Sequence, residues 1–359
     1  MTTVATMISH SRPAISQEDL QVTADVLRSG QIAQGPWVER FEREMAAFVG
    51  VQGGVAVSSG TAALELALRA LRIGAGDEVI MPSYVCAAPW LATQRVGAQA
   101  TLVDIDVNTF NIDPLAARRA ITKKTRAIIV PHLFGLPADL TALEGLGIPL
   151  IEDCAQTLGV TAQGRLVGTV GRLTVCSFYA TKMLCAGEGG MVLSNEERLL
   201  ERIKSLREYD GVAALDPSSF NLKLTDLQAS LGLSQLGRFS AFQERRSFLA
   251  AAYRSTLSSK TAVCPSAPAG RTHGYYRFVI RLPHLRTNPD GLIGLISRLE
   301  QQGIHCRKPV FRPLHRYLDQ SGFPHSDEAD RTALSIPLYP DLTDDEVQQI
   351  QQSLVQVLS

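Results

Sequence analysis

The chain has 359 residues, 45% of them hydrophobic, which is enough for two domains or for one large domain with an appendage. Lysine plus arginine and aspartate plus glutamate each number 35, so the formal net charge is zero. That balance argues against a protein built to bind nucleic acid or an anionic membrane, and leaves small molecules and protein partners.

The six cysteines have no CxxC spacing and lie mostly in apolar or strand-like runs, as reduced thiols of a cytoplasmic protein do. The seven histidines are scattered, without HExxH or any paired His/Cys spacing, so no dedicated metal site is expected. The opening stretch MTTVATMISHSRP lacks a basic region followed by an apolar one. No apolar run reaches the roughly 18 residues of a membrane span. A cytoplasmic protein is expected.

In chain order, residues 16–27 read as a helix, with Ser16 as N-cap, Asp19 three positions on and Gly30 past the end. Residues 38–48 give a second, with Phe41, Met45 and Phe48 on one face. Then GVAVSSGTAALELALRALRIGAGDEVIMPSYVC reads as buried strand, small-residue turn, long helix, Gly-rich stop and strand. AQATLVDID, RAIIVPHLFG and IPLIEDCAQ continue as strands, separated by helical segments over 113–120 and 138–146. This alternation predicts an α/β fold with a mainly parallel sheet and helices on its faces.

Three features stand at predicted strand ends. The turn Ser58-Ser59-Gly60-Thr61 opens directly into a helix, so its free N–H groups and the helix dipole suit a phosphate. Glu152 and Asp153 close a strand; successive side chains on a strand face opposite ways, so the two cannot both serve one site while the strand persists. Within CSFYATKMLCAGEGGM, Lys182 follows an apolar strand-like run and precedes Gly187, Gly189 and Gly190, which let the backbone turn tightly or approach a flat ligand. An amine there could condense with an aldehyde, and a carboxylate could keep a pyridine nitrogen protonated so that the ring draws electrons. Phosphate cradle, carboxylate and amine together describe pyridoxal phosphate.

The runs SSGTAALELALRAL, IEDCAQTLG, SFYATKMLCAGEGGMV and FNLKLTDLQASLGLSQL resemble the DegT/DnrJ/StrS family of sugar aminotransferases. The resemblance extends from Gln34-Gly35-Pro36 to Pro313-Leu314-His315. It implies a fold-type I pyridoxal-phosphate transferase related to aspartate aminotransferase: a large α/β domain, a smaller C-terminal α/β domain and a homodimer with shared active sites. By resemblance Lys182 is the amine that binds the cofactor aldehyde, Asp153 partners the pyridine nitrogen, and Gln156 lies near the phenolic oxygen. Gly60, Thr61 and Ser177 match phosphate-binding positions, and Asn221 matches an asparagine that reaches the phosphate of the neighbouring subunit. Many relatives stack an aromatic ring on the pyridine from the segment after Pro82-Ser83, whereas this sequence aligns Cys86 there, with Tyr84 and Trp90 nearby.

Beyond Leu231 the composition shifts toward a long amphipathic helix carrying Leu236, Phe239, Phe242 and Arg246, and TAVCPSAPAG then reads as a linker. A domain boundary is expected near Ser240, dividing the chain into 1–240 and 241–359. YYRFVIRLP, IGLISRLEQQGIHCRKPV and DEVQQIQQSLVQVL read as strand, helix, strand and closing helix. The segment HCRKPVFRPLHRYL gathers Arg307, Lys308, Arg312, His315 and Arg316, a solvated basic loop or a seat for a substrate phosphate or carboxylate. By resemblance His315 lies near the substrate, with Arg312 and Tyr84 as further candidates.

The implied activity is transfer of an amino group from glutamate or glutamine to a keto sugar, with a nucleotide-linked sugar as the expected acceptor. Keto cyclitols, a sugar dehydratase and a non-catalytic regulatory protein are the alternatives. The dehydratase branch replaces the lysine with histidine, so Lys182 counts against it.

Overall fold

The computed structural model describes residues 7–210, 216–257, 261–288 and 290–358, so the first residues of the opening stretch lie outside it. The strands in chain order are β1 (Gly53–Val57), β2 (Glu78–Pro82), β3 (Gln99–Val103), β4 (Thr125–Pro131), β5 (Leu150–Asp153), β6 (Thr161–Ala162), β7 (Arg165–Leu166), β8 (Leu173–Ser177), β9 (Gly190–Ser194), β10 (Phe278–Arg281) and β11 (Ala333–Ile336).

Seven of them form one sheet in the order β1-β9-β8-β5-β4-β2-β3. Every neighbouring pair is parallel except those of β9, which runs antiparallel to both β1 and β8. Strands buried on both faces should be continuously apolar, and Ala127 to Val130 are; Leu173 to Cys176 is as buried, with Thr174 the one polar residue, its hydroxyl satisfied by Gly168 O. The carboxyl ends of β1, β5 and β8 therefore share one edge of the sheet, and β9 begins there.

The first helix, Gln17–Ser29, starts as its sequence predicts: Ser16 and Asp19 form a reciprocal capping box, and Gly30 ends it in the left-handed conformation. The second helix, Pro36–Val49, buries Val38, Phe41, Met45 and Val49. The long helix expected beyond Leu231 is two helices, Asp226–Gly237 and Phe239–Thr256, broken at Arg238. The second of these spans two cores, with Phe239 packed in one apolar cluster and Leu249, Ala250 and Tyr253 in another.

The C-terminal cluster also takes in Ile8, whose N–H and C=O pair with Gly303 and His305. Beside it His10 is bonded through Nε2 to Ser335 Oγ at 2.9 Å.

The expected strand at GIHCRKPV forms only isolated bridges, Ile8 with Ile304 and Arg307 with Ser335. The partner of β10 is instead β11, which follows a helix, Pro324–Thr332, and was not anticipated. The closing helix, Asp344–Leu358, is present. Among the described residues no helix is long and apolar enough to cross a membrane.

Candidate active site

At the shared strand ends, Gly190 pairs with Val57 on one side and with Ser177 on the other. A Cβ at position 190 would lie 2.3 Å from the Ser59 carbonyl oxygen, so glycine is required for β9 to start this close to the turn after β1. That turn is capped by Ser59, whose hydroxyl accepts the Ala62 N–H at 3.1 Å while its carbonyl accepts the Ala63 N–H. Gly60 and Thr61, the first residues of the helix Gly60–Ala70, keep free N–H groups, with no acceptor among the described residues. A Cβ at Gly60 would lie 3.1 Å from Ser177 Oγ, which brings that hydroxyl beside the two N–H groups.

A cavity of about 230 Å³ opens here, lined by Gly60, Thr61, Cys86, Asp153, Ser177 and Lys182 together with Ser59, Leu64, Ala88, Ala155, Tyr179 and Glu188. Lys182 stands in the loop between β8 and β9, not on the strand, and its N–H bonds Tyr179 O at 2.8 Å. Phe178 N–H to Gly189 O and Ala186 N–H to Phe178 O, both at 2.9 Å, close the base of that loop. The Lys182 ammonium lies 5.3 Å from the centroid of the Tyr276 ring.

Asp153 is 8% exposed. Its Oδ1 accepts the Ala155 N–H at 3.0 Å, and Oδ2 has no donor among the described residues. Burial pushes its carboxyl above the usual range, against the pull of that N–H and of Lys182. Glu152 points to the other face, as alternation requires. It accepts the N–H groups of Gly168, Val170 and Gly171, and also His132 Nε2. His132 Nδ1 accepts the Ala138 N–H, which assigns the ring proton to Nε2. Cys154 completes a buried trio with these two. The donors around Glu152 and the engaged ring of His132 make it a hydrogen-bonded hub behind Asp153.

Cys86 opens on the cavity, yet the surrounding protein raises its thiol above the ordinary value, Lys182 pulling the other way. Gln156 does not line the cavity; its Oε1 accepts the Phe134 N–H at 2.9 Å.

Four further candidates do not line this cavity. Tyr84 is fully buried against Phe110, its hydroxyl directed at Ala329 O. His315 is 2% exposed, with Nδ1 on Ser83 Oγ at 2.5 Å, Nε2 on Asp327 at 3.1 Å and its ring stacked on Phe323. Arg312 lies over the Tyr317 ring and bonds Arg316 O. Asn221 is exposed, in a segment held beside the cradle by Ser58 N–H to Leu222 O at 2.8 Å.

Tyr276 is a neighbour of Lys182 that the sequence does not announce. Burial raises its hydroxyl, but Lys182, Arg277 and a hydrogen bond from Thr181 outweigh that and bring it down to about 8. Arg246 fixes its backbone by donating to the carbonyls of Tyr275, Tyr276 and Leu338. Tyr276 lies far from Lys182 in sequence, and no local pattern links the two.

The model of the DegT/DnrJ/EryC1/StrS aminotransferase family matches residues 13–355. The chain belongs to this family. GDP-perosamine synthase of Vibrio cholerae is 31% identical, the match covering 96% of this aminotransferase and 97% of the relative. Among solved structures, Spr1654 of Streptococcus pneumoniae in its PLP form superposes with a TM-score of 0.91 at 26% identity, covering 98% of each chain; it is also solved in a PMP form. The sugar aminotransferase CalS13 of Micromonospora echinospora gives 0.88 at 26% identity, covering 98% of this chain and all of the other.

The protein is thus a pyridoxal-phosphate-dependent aminotransferase of the sugar aminotransferase family with the fold-type I architecture. The cavity suits that cofactor. Its free N–H groups and hydroxyl match a phosphate, its buried carboxylate a pyridinium, and its amine an aldehyde.

Proposed function

We propose that this aminotransferase moves an amino group from glutamate or glutamine to a keto sugar carried on a nucleotide, with Lys182 as the reacting amine. The single observation that carries the reading is that Lys182, Asp153 and the free N–H groups of Gly60 and Thr61 line one cavity. When bound, the cofactor supplies an electron sink that makes the donor's α-proton removable. Gly60, Thr61 and Ser177 would hold its phosphate, Asp153 would keep the ring nitrogen protonated, and Gln156 would serve the phenolic oxygen. Cys86 would take the place where relatives offer an aromatic side chain. Lys182 would hold the cofactor's aldehyde, and its Nζ would serve as the base that moves the proton at the donor carbon.

The name GDP-perosamine synthase of one relative supports the nucleotide-linked acceptor. The reading includes a homodimer in which Asn221 reaches the partner's phosphate, and the division at residue 240 into a cofactor domain and a small domain. Six free thiols support work in the reducing cytoplasm.

The test is to load the protein with glutamate or glutamine, follow the cofactor's absorption, and then challenge it with nucleotide-linked keto sugars and keto cyclitols. Amination of the nucleotide-linked sugars alone supports the proposal. Preference for cyclitols moves it to that substrate class, and no spectral response to either donor refutes it.

A further inference from the structure

The basic segment from His305 to Arg316 looks uniform in sequence, but its charges are not equally occupied. Lys308 pairs with Asp330, and His315 and Arg316 share Asp327. Arg312 rests on Tyr317 and bonds Arg316 O. Arg307 is left over. Its backbone is locked to Ser335 by two hydrogen bonds, N–H to O at 3.1 Å and O to N–H at 2.8 Å, and its Nε donates to His305 Nε2 at 3.1 Å. A second such group, Arg277, arrives from the residue before β10. It donates to Pro309 O at 3.2 Å, and its guanidinium lies 5.2 Å from the centroid of the Tyr276 ring. Among the described residues neither arginine has a carboxylate partner.

The two lie close enough to act on a common neighbour. His10, 4% exposed and bonded to Ser335, is lowered to about 3 by burial first and then by Arg277, Arg307 and His305. The cavity between them, about 620 Å³, is lined by Arg277, His305 and Arg307, with Lys308 beside them and one carboxylate, Glu300. Its remaining wall is apolar: Ile296, Cys306, Pro309 and Phe311, the last 87% exposed.

Arg307 is exposed and Arg277 half-buried, neither with a carboxylate partner, and each presents a planar fork suited to oxyanions. Tyr276 carries Arg277 and Lys182 against the same ring, which sets this cluster next to the reacting amine.

We infer that Arg277 and Arg307 form an oxyanion seat beside the catalytic cavity, for the carboxylate of the amino donor or a phosphate group of the acceptor. Which of these anions it takes rests on the proposed amino transfer; the seat itself does not. The apolar wall at Ile296, Pro309 and Phe311 receives the carbon skeleton attached to the anion.

The experiment is calorimetric titration of the cofactor-loaded protein with glutarate and with pyrophosphate. Wild type is compared with Arg277→Ala, Arg307→Ala and Arg307→Lys, each checked for folding by circular dichroism. At least one probe should bind wild type and lose at least tenfold in affinity in both alanine variants, with Arg307→Lys between. Loss of glutarate identifies the donor carboxylate, and loss of pyrophosphate the acceptor phosphate. A probe that binds all four proteins alike, or the failure of both to bind wild type, overturns the seat. A protein that loses probe affinity in the variants yet never transfers an amino group retains the seat and refutes the proposed reaction.

Discussion

Gly190→Ala should damage cofactor binding more than it damages the fold. The added Cβ would stand 2.3 Å from Ser59 O, 2.4 Å from Ser59 C and 2.7 Å from Gly60 N, all backbone atoms that cannot rotate away. A carbon normally approaches a carbonyl oxygen no closer than about 3.3 Å, so the turn must shift by roughly 1 Å. Overpacking of this kind costs about 1–3 kcal/mol of stability.

The same shift drags the free N–H groups of Gly60 and Thr61 off the phosphate. Each charge-assisted bond is worth about 1.5–3 kcal/mol, so cofactor affinity should fall at least about tenfold. Urea unfolding gives the first quantity, and titration of the cofactor-free protein with pyridoxal phosphate, followed by absorption, gives the second. Gly164→Ala is the comparison: its φ is +76° with nothing within 4 Å, so it should cost about 1–2 kcal/mol and leave cofactor affinity alone. Unchanged affinity in a folded Gly190→Ala protein would refute the cradle.

Lys182→Ala should purify folded but lose the visible absorption of the bound cofactor, and borohydride labelling of wild type should map to the peptide carrying Lys182; a label on another lysine overturns the assignment. Asp153→Asn should retain cofactor while turnover drops steeply, because an amide cannot hold the pyridinium charge; near-normal amination removes Asp153 from that role. Mixed Lys182→Ala and Asn221→Ala subunits should regain activity in the one site that carries neither defect; no recovery in a mass-confirmed heterodimer refutes sharing through Asn221. Tyr276, at about 8 in the folded protein against 10 unfolded, contributes stability that is complete above pH 10 and lost as pH falls through 8. Cofactor-free wild type should therefore gain about 1–3 kcal/mol on Tyr276→Phe between pH 8 and 10, and parallel pH profiles in urea would contradict this.

What the sequence discloses about this molecule is what local chemistry controls. Ser16, Asp19 and Gly30 state both ends of the first helix, and the apolar run Ala127 to Val130 of β4 declares a strand buried on both faces. Ser177 and Cys86 came only through the family resemblance, whereas Gly60, Thr61, Asp153 and Lys182 were legible as a group because each stands at or just past the carboxyl end of a predicted strand. Tyr276 and Arg277 were not, since their nearness to Lys182 depends on how the C-terminal segment docks. The strand β11 escaped for a similar reason: ALSI is too short and too apolar to be told from a helix end without knowing that β10 needs a partner. His315, placed near the substrate by resemblance alone, has both ring nitrogens engaged within this chain, by Ser83 and Asp327.

The pairing of Ile8 with Ile304 and of His10 with Ser335 joins positions up to 325 residues apart. Ile8 waits exposed during synthesis until the C-terminal core that receives it has been made. Closure of such a distant contact is slow, because the loop entropy must be met before the contact is gained. Deleting the residues through His10 should leave Ile304 and Ser335 uncovered and loosen the C-terminal cluster first. An early burst of proteolysis after β10, ahead of any cut in the seven-stranded sheet, is the signature by which that order would be recognised.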